Sequence, residues 1–417
     1  MNQLPWPLKT LKREATPAPA DFIPAEPVTG SVFFSVCLPP PVHGQALVNA
    51  SVVRAAQAYA PAEKIVVEDI GPGGNKFGLK YHLTRLRRVL HAGAGLLRGG
   101  VAPGRRLYTV FESGYGVVYN FLLIGLARLL GYDVVLHHHT SEHSFVRQGR
   151  FALLQRLAGP RCLNVALSDD MAENLRLLYP ELRPVMVSHN ACHIPAPALS
   201  AADRRAAPRQ GRLRIGFLSN LCREKGLDVV LDVARQCRAR DLDVTFVLAG
   251  PTVGEDAAAL LKEGQDSLGD MIEAIGPVGP QAKAEFFDSI DVFLFPTRYR
   301  YEAQPLVLLE AMSYGLRIVT TNCGFISELV GDHGAVFDPD EHLVEDIVDE
   351  VERMVRAPDL VRRGAEGVEA HFLKLRAMAF DQLRQLTQRM FAPASRSLPK
   401  PPPLASLPLH PPAARIF

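Results

Sequence analysis

Two glutamates, Glu302 and Glu310, stand eight positions apart in the run 291–322, which reads D-V-F-L-F-P-T-R-Y-R-Y-E-A-Q-P-L-V-L-L-E-A-M-S-Y-G-L-R-I-V-T-T-N. Ionised carboxylates only accept hydrogen bonds, so a pair of them suits the hydroxyl groups of a ligand. The residues around them say where that ligand would sit. Positions 292–295 are wholly apolar between Asp291 and Pro296, as expected of a strand buried on both faces of a parallel sheet. Positions 297–304 are polar and aromatic, hence a loop. Pro305 suits the first position of a helix, where its missing N–H would have been unpaired anyway, and Gly315 suits the stop. Positions 317–321 read as the next strand. Glu302 therefore precedes a helix N-terminus and Glu310 lies inside the helix. Such strand-to-helix junctions take anions, because unpaired N–H groups and the helix dipole favour negative charge there. Carboxylates belong in that place if the ligand brings a diphosphate for the amides and hydroxyls for the carboxylates, as a nucleotide sugar does. The bland alternative makes Glu302 a solvated loop residue and Glu310 an exposed helix residue. A hydrolytic carboxylate pair is a poor rival, since eight helical residues span about 12 Å at ~1.5 Å per residue, beyond the roughly 5 to 9.5 Å such pairs need.

The run, with its F-P, E-A-Q-P and E-A-M elements, resembles the E-x7-E signature of retaining glycosyltransferases of the GT-B fold, in particular family 4. The resemblance implies that Glu302 faces the donor sugar, that Glu310 meets the ribose hydroxyls, and that the amides of Leu306 and Val307 meet the diphosphate. It continues at 219–226, S-N-L-C-R-E-K-G, beside the family's G-R-L-x-x-x-K-G. By that match Lys225 clamps the diphosphate, while Asn220 stands where the family has arginine, leaving Arg223 of the same loop as the substitute. A cation has a physical task there, since a diphosphate leaving group gains charge as the glycosidic bond breaks. At 323–328, C-G-F-I-S-E resembles the G-x-x-E loop that follows, with Phe325 in place of a second glycine. Near the first strand the family carries a Gly-Gly pair close to the donor phosphates and the acceptor; here His43-Gly44 stands in that place, and Gly44 is the residue carried over. In the resembling enzymes an H-T pair at a strand end meets the donor sugar, which selects His139 from the run His137-His138-His139-Thr140. A structural role for these histidines is the alternative. Three consecutive histidines alternate in direction on a strand, so at most two share a face and a metal clip made from them alone is improbable.

The elements that must carry these residues alternate strand and helix through both halves of the chain. That pattern predicts an α/β protein with two Rossmann-like, doubly wound parallel-sheet domains facing a cleft, the GT-B arrangement. At about 150 residues per domain, 417 residues suit two large domains with extensions. The expected division is a disordered Pro-rich leader at 1–30, an acceptor-side domain at 31–190, a linker and hinge at 191–211, and a donor-nucleotide domain at 212–372. A helix at 373–392 would cross back to the first domain, as the resemblance implies, before a disordered Pro-rich tail at 393–417. Positions 341–388 read as helical throughout.

A net charge of +2 gives the molecule no polyelectrolyte character, so nucleic acid is no expected partner. The six cysteines, Cys37, Cys162, Cys192, Cys222, Cys237 and Cys323, form neither a C-x-x-C nor a zinc-spaced cluster, pointing to a reducing compartment and no structural metal. Positions 1–30 hold no apolar core of a signal peptide. The apolar stretch 117–136 is interrupted by Asn120, Arg128 and Asp133, and reads as a buried helix followed by a strand rather than a membrane span. Basic charge is local: 76–106 holds eight Lys and Arg residues, and no acid stands between Asp69 and Glu112. Leu79, Leu83, Leu86 and Leu90 recur there at helical spacing. Such a helix either meets anionic headgroups peripherally or is packed on its domain by its leucines.

The combined expectation is a retaining, metal-independent hexosyltransferase that moves a sugar from a nucleotide-sugar donor to a glycan or lipid-linked acceptor. The donor is its co-substrate, no cofactor is needed, and the protein is cytoplasmic, with peripheral attachment to the membrane through 76–106. Glu302, His139 and Lys225 would be catalytic. Gly44, Arg223, Leu306, Val307 and Glu310 would join Lys225 and Glu302 in binding the donor within the cleft. A non-catalytic nucleotide-sugar-binding subunit and a GT-B epimerase or phosphorylase are the competing readings.

Overall fold

A computed structural model of the chain describes residues 28–72, 78–101, 104–182, 184–197, 200–204 and 211–393. Nearly all of the leader and tail, Lys76, and parts of the linker (198–199 and 205–210) lie outside the described residues. The chain forms two units, one of residues 1–193 with 378–417, the other of 194–377.

The first unit runs β1 (Ser31–Val36), α1 (Gly44–Tyr59), β2 (Ile65–Asp69), α2 (Leu79–Gly99), β3 (Arg105–Val110), α3 (Val117–Leu129), β4 (Asp133–His137), α4 (Glu142–Phe145), α5 (Gly149–Ala158), β5 (Leu163–Ala166), α6 (Asp169–Leu178) and β6 (Val185–Val187). Its six strands are all parallel in the order β2-β1-β3-β4-β5-β6. The second unit runs α7 (Ala201–Arg204), β7 (Leu213–Leu218), α8 (Leu227–Ala239), β8 (Val244–Ala249), α9 (Glu255–Leu268), β9 (Ile272–Gly276), α10 (Pro280–Ser289), β10 (Val292–Phe295), α11 (Leu306–Ser313), β11 (Arg317–Thr321), α12 (Ile326–Val330), β12 (Gly334–Phe337), α13 (Leu343–Arg356) and α14 (Asp359–Phe391). Its order is β12-β11-β10-β7-β8-β9, again all parallel.

Helices on both faces explain why the inner strands are continuous apolar runs. β8 and β10 are buried at every position, and Phe293 and Phe295 are among the largest fully buried side chains. The last fourteen residues of α14 count with the first unit, where Phe391 O accepts from Gly30 N at 3.1 Å and Gln382 accepts from His189 N at 2.9 Å.

Several expectations need correction. Pro305 is the residue before α11 rather than its first position, with φ −61° and an extended ψ of 119°. Gly44 lies inside α1 as its first residue, because His43 takes the cap position and its Nδ1 accepts from Ala46 N at 3.4 Å. The helical stretch 341–388 is two helices, broken where Pro358 takes Ala357 out of the helical region, at φ −134° and ψ 73°. The linker carries one helical turn, α7, capped by Ser200, whose Oγ accepts from Asp203 N at 3.1 Å. On α2 the leucine stripe points outward: Leu83, Leu86 and Leu90 are exposed, whereas Arg85, Val89, Ala92 and Leu96 are buried. The stretch 117–136 is, as expected, a helix followed by a strand, α3 and β4, and among the described residues no helix is long and apolar enough to cross a membrane.

Candidate active site

In the second sheet the strand order reverses between β7 and β10, because β8 and β9 lie on one side of β7 and β10, β11 and β12 on the other. Connections leaving the two strands on either side of such a reversal go to opposite faces of the sheet, and a ligand crevice opens past their carboxyl ends. Lys225 follows β7 and Glu302 follows β10, and their side chains form an ion pair. The Lys225 ammonium also lies 4.9 Å from the centre of the Tyr299 ring. An aromatic face and a carboxylate hold this cation at one point instead of leaving it to wander on its four-carbon stem.

The loop between β10 and α11 is fixed from three sides. Thr297 Oγ1 donates to Glu302 Oε1 at 3.2 Å. Thr297 O accepts from Thr321 Oγ1 at 2.5 Å and from Cys323 Sγ at 3.3 Å, while Glu302 O accepts from Phe325 N at 3.0 Å. Arg298 N donates to Glu224 O at 2.9 Å, tying the loop to the single turn Arg223–Lys225. Two glycines allow these approaches. A Cβ on Gly226 (φ +87°) would overlap Pro296 O, and one on Gly324 (φ +61°) would overlap Glu302 O. The result is a buried carboxylate, 7% exposed, held in one orientation at a ligand crevice.

Glu310 is one helical stretch further on, paired with Lys283 of α10. Leu306 and Val307 are the first two residues of α11, so their amides have no partner within the helix and face past its N-terminus. Arg223, the substitute for the missing arginine, sits on Asp228 at 3.5 Å, and Asp228 also takes Arg298 at 2.6 Å. Lys283, Arg298 and Tyr299 are thus members of this site that carried no signal in the sequence. Only the packing of α10 beside α11 and the fold of the 297–304 loop bring them in.

In the first unit Gly44 begins α1 and is exposed beyond the carboxyl end of β1. His139 follows β4 and shares a face with His137, their rings 4.2 Å apart, whereas His138 points the other way, to Asn164 at 3.0 Å and His143 at 2.9 Å. The expected alternation therefore holds. Burial, with the like charges of His193 and His138, pushes His139 down to about 3, and burial takes His138 to about 4. These rings are neutral at pH 7, so they serve as hydrogen-bonding groups and not as cations. His139 Nε2 and Thr140 Oγ1 are buried with no hydrogen-bond partner among the described residues. Among the same residues no group of three His, Cys, Asp or Glu side chains is placed to hold a metal ion.

Residues 212–357 match the family model "Glycosyl transferases group 1". The chain is 24% identical over 276 residues to an alpha-D-kanosaminyltransferase of Streptomyces kanamyceticus, covering 61% of this chain and 68% of that protein. Among solved structures it resembles Anabaena HepE in complex with UDP and glucose (TM-score 0.60, 16% identity, 87% of this chain and 99% of that one). It also resembles sucrose-phosphate synthase from Thermosynechococcus elongatus (TM-score 0.64, 14% identity, 87% and 99%). The fold is GT-B, and the match to the group 1 glycosyl transferase model lies within the second unit.

Proposed function

We propose that the protein transfers a sugar from a nucleotide-sugar donor to a hydroxyl of a glycan or lipid-linked glycan, with retention at the anomeric carbon and with side-chain cations in place of a metal. The observation that carries this reading is the Lys225–Glu302 pair, fixed at the reversal point of the sheet inside the matched domain. The donor's diphosphate lies on the amides of Leu306 and Val307 and against Lys225, with Arg223 as a second cation. As the glycosidic bond breaks, negative charge grows on the leaving diphosphate, and a cation already in place lowers the barrier without reorganising. Glu302 holds the sugar and Glu310 the ribose. Within the first unit, taken by itself, Gly44 at the carboxyl end of β1 would admit a close approach and His139 after β4 would offer a neutral hydrogen-bonding ring. HepE is seen with UDP, which makes a uridine nucleotide the first donor to try.

A thermal-shift series with UDP, GDP and ADP tests the donor site. One nucleotide at 100 times its dissociation constant should stabilise the wild type by about 2.7 kcal/mol, and Glu310→Ala should lose the shift. If no nucleotide moves the wild type, the reading fails.

Peripheral attachment to an anionic membrane belongs to the same proposal. Its support is the outward face of α2, where Leu83, Leu86, Leu90 and Leu97 are exposed beside Arg87 and Arg98.

A further inference from the structure

The two loops that meet at the Lys225–Glu302 pair are tied a second time, by charges that neither glutamate of the E-x7-E run supplies. Asp228, the second residue of α8, is 9% exposed, and its Oδ2 takes Arg298 at 2.6 Å and Arg223 at 3.5 Å. Its Oδ1 is buried with no hydrogen-bond partner among the described residues. Arg298 belongs to the loop after β10 and Arg223 to the turn after β7, so one carboxylate gathers a guanidinium from each side of the sheet's reversal point.

The two arginines are not held alike. Arg298 is fixed at both ends: its N–H donates to Glu224 O at 2.9 Å, and its guanidinium lies on Asp228. Its neighbours are fixed as well. Thr297 is bonded to Thr321, Cys323 and Glu302, while Tyr299 N donates to Thr297 Oγ1 at 3.2 Å and the Tyr299 ring carries the Lys225 ammonium. Arg223 makes the longer contact with Asp228, and its side chain is 59% exposed. Arg300, exposed two positions beyond Arg298, forms no ion pair among the described residues.

A long cationic side chain that its ligand must first immobilise loses part of the contact energy to ordering, and one already ordered does not. A guanidinium carries five N–H donors in a planar fork that matches phosphate oxygens two at a time. One carboxylate oxygen shared by two such groups leaves most of those donors for a ligand. Arg298 stands beside the turn that carries Lys225, and Asn220, in the place where the resembling family has arginine, is exposed and uncharged. A buried carboxylate is a poor neighbour for a diphosphate unless it acts through the cations that it holds.

We propose that Arg298 binds the phosphates of the donor, supplying the guanidinium that position 220 lacks, and that Asp228 is its positioning residue. The proposal rests on the glycosyl-transfer reading, whose donor site it completes. Calorimetry on the full chain with UDP, GDP and ADP, each beside its own nucleoside, tests it for the wild type, Arg298→Gln, Arg300→Gln and Asp228→Asn. Arg298→Gln should weaken whichever diphosphate the wild type binds by about tenfold or more and leave the nucleoside unchanged. Arg300→Gln removes the same charge from the same loop, and should change the diphosphate by less than about threefold. Asp228→Asn separates positioning from plain electrostatics by its sign. Taking a negative charge away from the neighbourhood of an anion strengthens binding by Coulomb's law. Weakening by about threefold or more is the result expected if the carboxylate acts by holding the arginine.

Equal losses in Arg298→Gln and Arg300→Gln overturn the proposal, since any charge on the loop would then do. So does unchanged or tighter binding by Asp228→Asn, or a nucleoside lost together with its diphosphate in Arg298→Gln, which marks a displaced loop. If Asp228→Asn fails to fold, the contrast between Arg298→Gln and Arg300→Gln decides. A wild type that binds no nucleotide removes the donor reading and this proposal with it. A wild type that binds one and is matched by Arg298→Gln overturns this proposal alone.

Discussion

Lys225 and Lys283 hold similar positions, each paired with one glutamate of the E-x7-E run, yet their tasks differ in the proposed site. Lys225 faces the charge that develops on the leaving diphosphate. Lys283 only orients Glu310, which takes the ribose. Calorimetry with UDP and with uridine separates the two. Lys225→Met should weaken UDP about tenfold or more, as expected for the loss of a charge-assisted contact, and leave uridine unchanged. Lys283→Met should weaken both by a similar factor, because both ligands carry the ribose. If Lys225→Met affects uridine as much as UDP, that lysine does not act on the diphosphate. Gly324 sits behind the same glutamate at φ +61°, against Glu302 O. Gly324→Ala should therefore cost about 2 kcal/mol or more in chemical denaturation, and should weaken the nucleotide as the loop moves.

At the scale of elements, how well the sequence could be read depended on how local the deciding interaction was. The buried strands announce themselves because a strand covered on both faces must be apolar throughout, as 292–295 is. Helix stops were equally local, resting on glycines and prolines. Glu302 could be placed on a strand-to-helix junction and Glu310 inside the helix that follows from the local pattern of 291–322, whereas Lys225 was singled out by the resemblance of its loop. The orientation of α2 was not legible. Its leucines suited either a membrane face or a core stripe, but Arg85 turns inward to Glu112, 27 residues away, and that partner is set by the pairing of β3 with β1. The inward residues Arg85, Val89, Ala92 and Leu96 follow the same helical spacing as the outward leucines, so periodicity alone could not choose between the two faces. Lys283 and Tyr299 escaped for the same reason. The outward leucines give α2 a testable property. In flotation with phosphatidylglycerol vesicles the wild type should rise with the lipid, and the triple variant Leu83→Gln, Leu86→Gln, Leu90→Gln should stay behind. Each leucine withheld from the bilayer forfeits about 1.5 kcal/mol or more. The variant's thermal stability should change little, since these side chains are 41% to 62% exposed in the fold. Equal flotation of both proteins, or of neither, removes α2 as a membrane contact.

Across the whole molecule each unit has a six-stranded parallel sheet, but the strand orders differ and so does what the sheets enclose. The first unit buries a histidine cluster around β4. His137 bonds Tyr108 Oη at 2.5 Å, His138 joins Asn164 and His143, and His193 bonds Ser51 at 2.8 Å. Burial pushes all of these rings down, His138 to about 4 and His139 and His193 to about 3, with His137 and His143 well below the ordinary value. In the second unit the lowered histidine, His371, is only half-buried. The unfolded chain takes up protons on these histidines below about pH 6.5, whereas in the folded unit His138 takes its proton only at about 4 and His139 and His193 at about 3, with His137 and His143 also held well below the ordinary value. Between those limits the unfolded state binds more protons, so stability falls as pH falls. It is fully restored above about pH 6.5. Each histidine can contribute up to about 1.4 kcal/mol per pH unit, so several together outweigh any one surface ion pair. Hydrogen exchange read peptide by peptide at pH 7 and pH 5, corrected for intrinsic rates, should show protection falling first in β4 and β5. Peptides of β7, β8 and β10 should keep theirs. His138→Gln should reduce the difference, because an uncharged amide has no proton to refuse. Equal loss of protection in both units would mean that the histidine cluster is not what acid attacks.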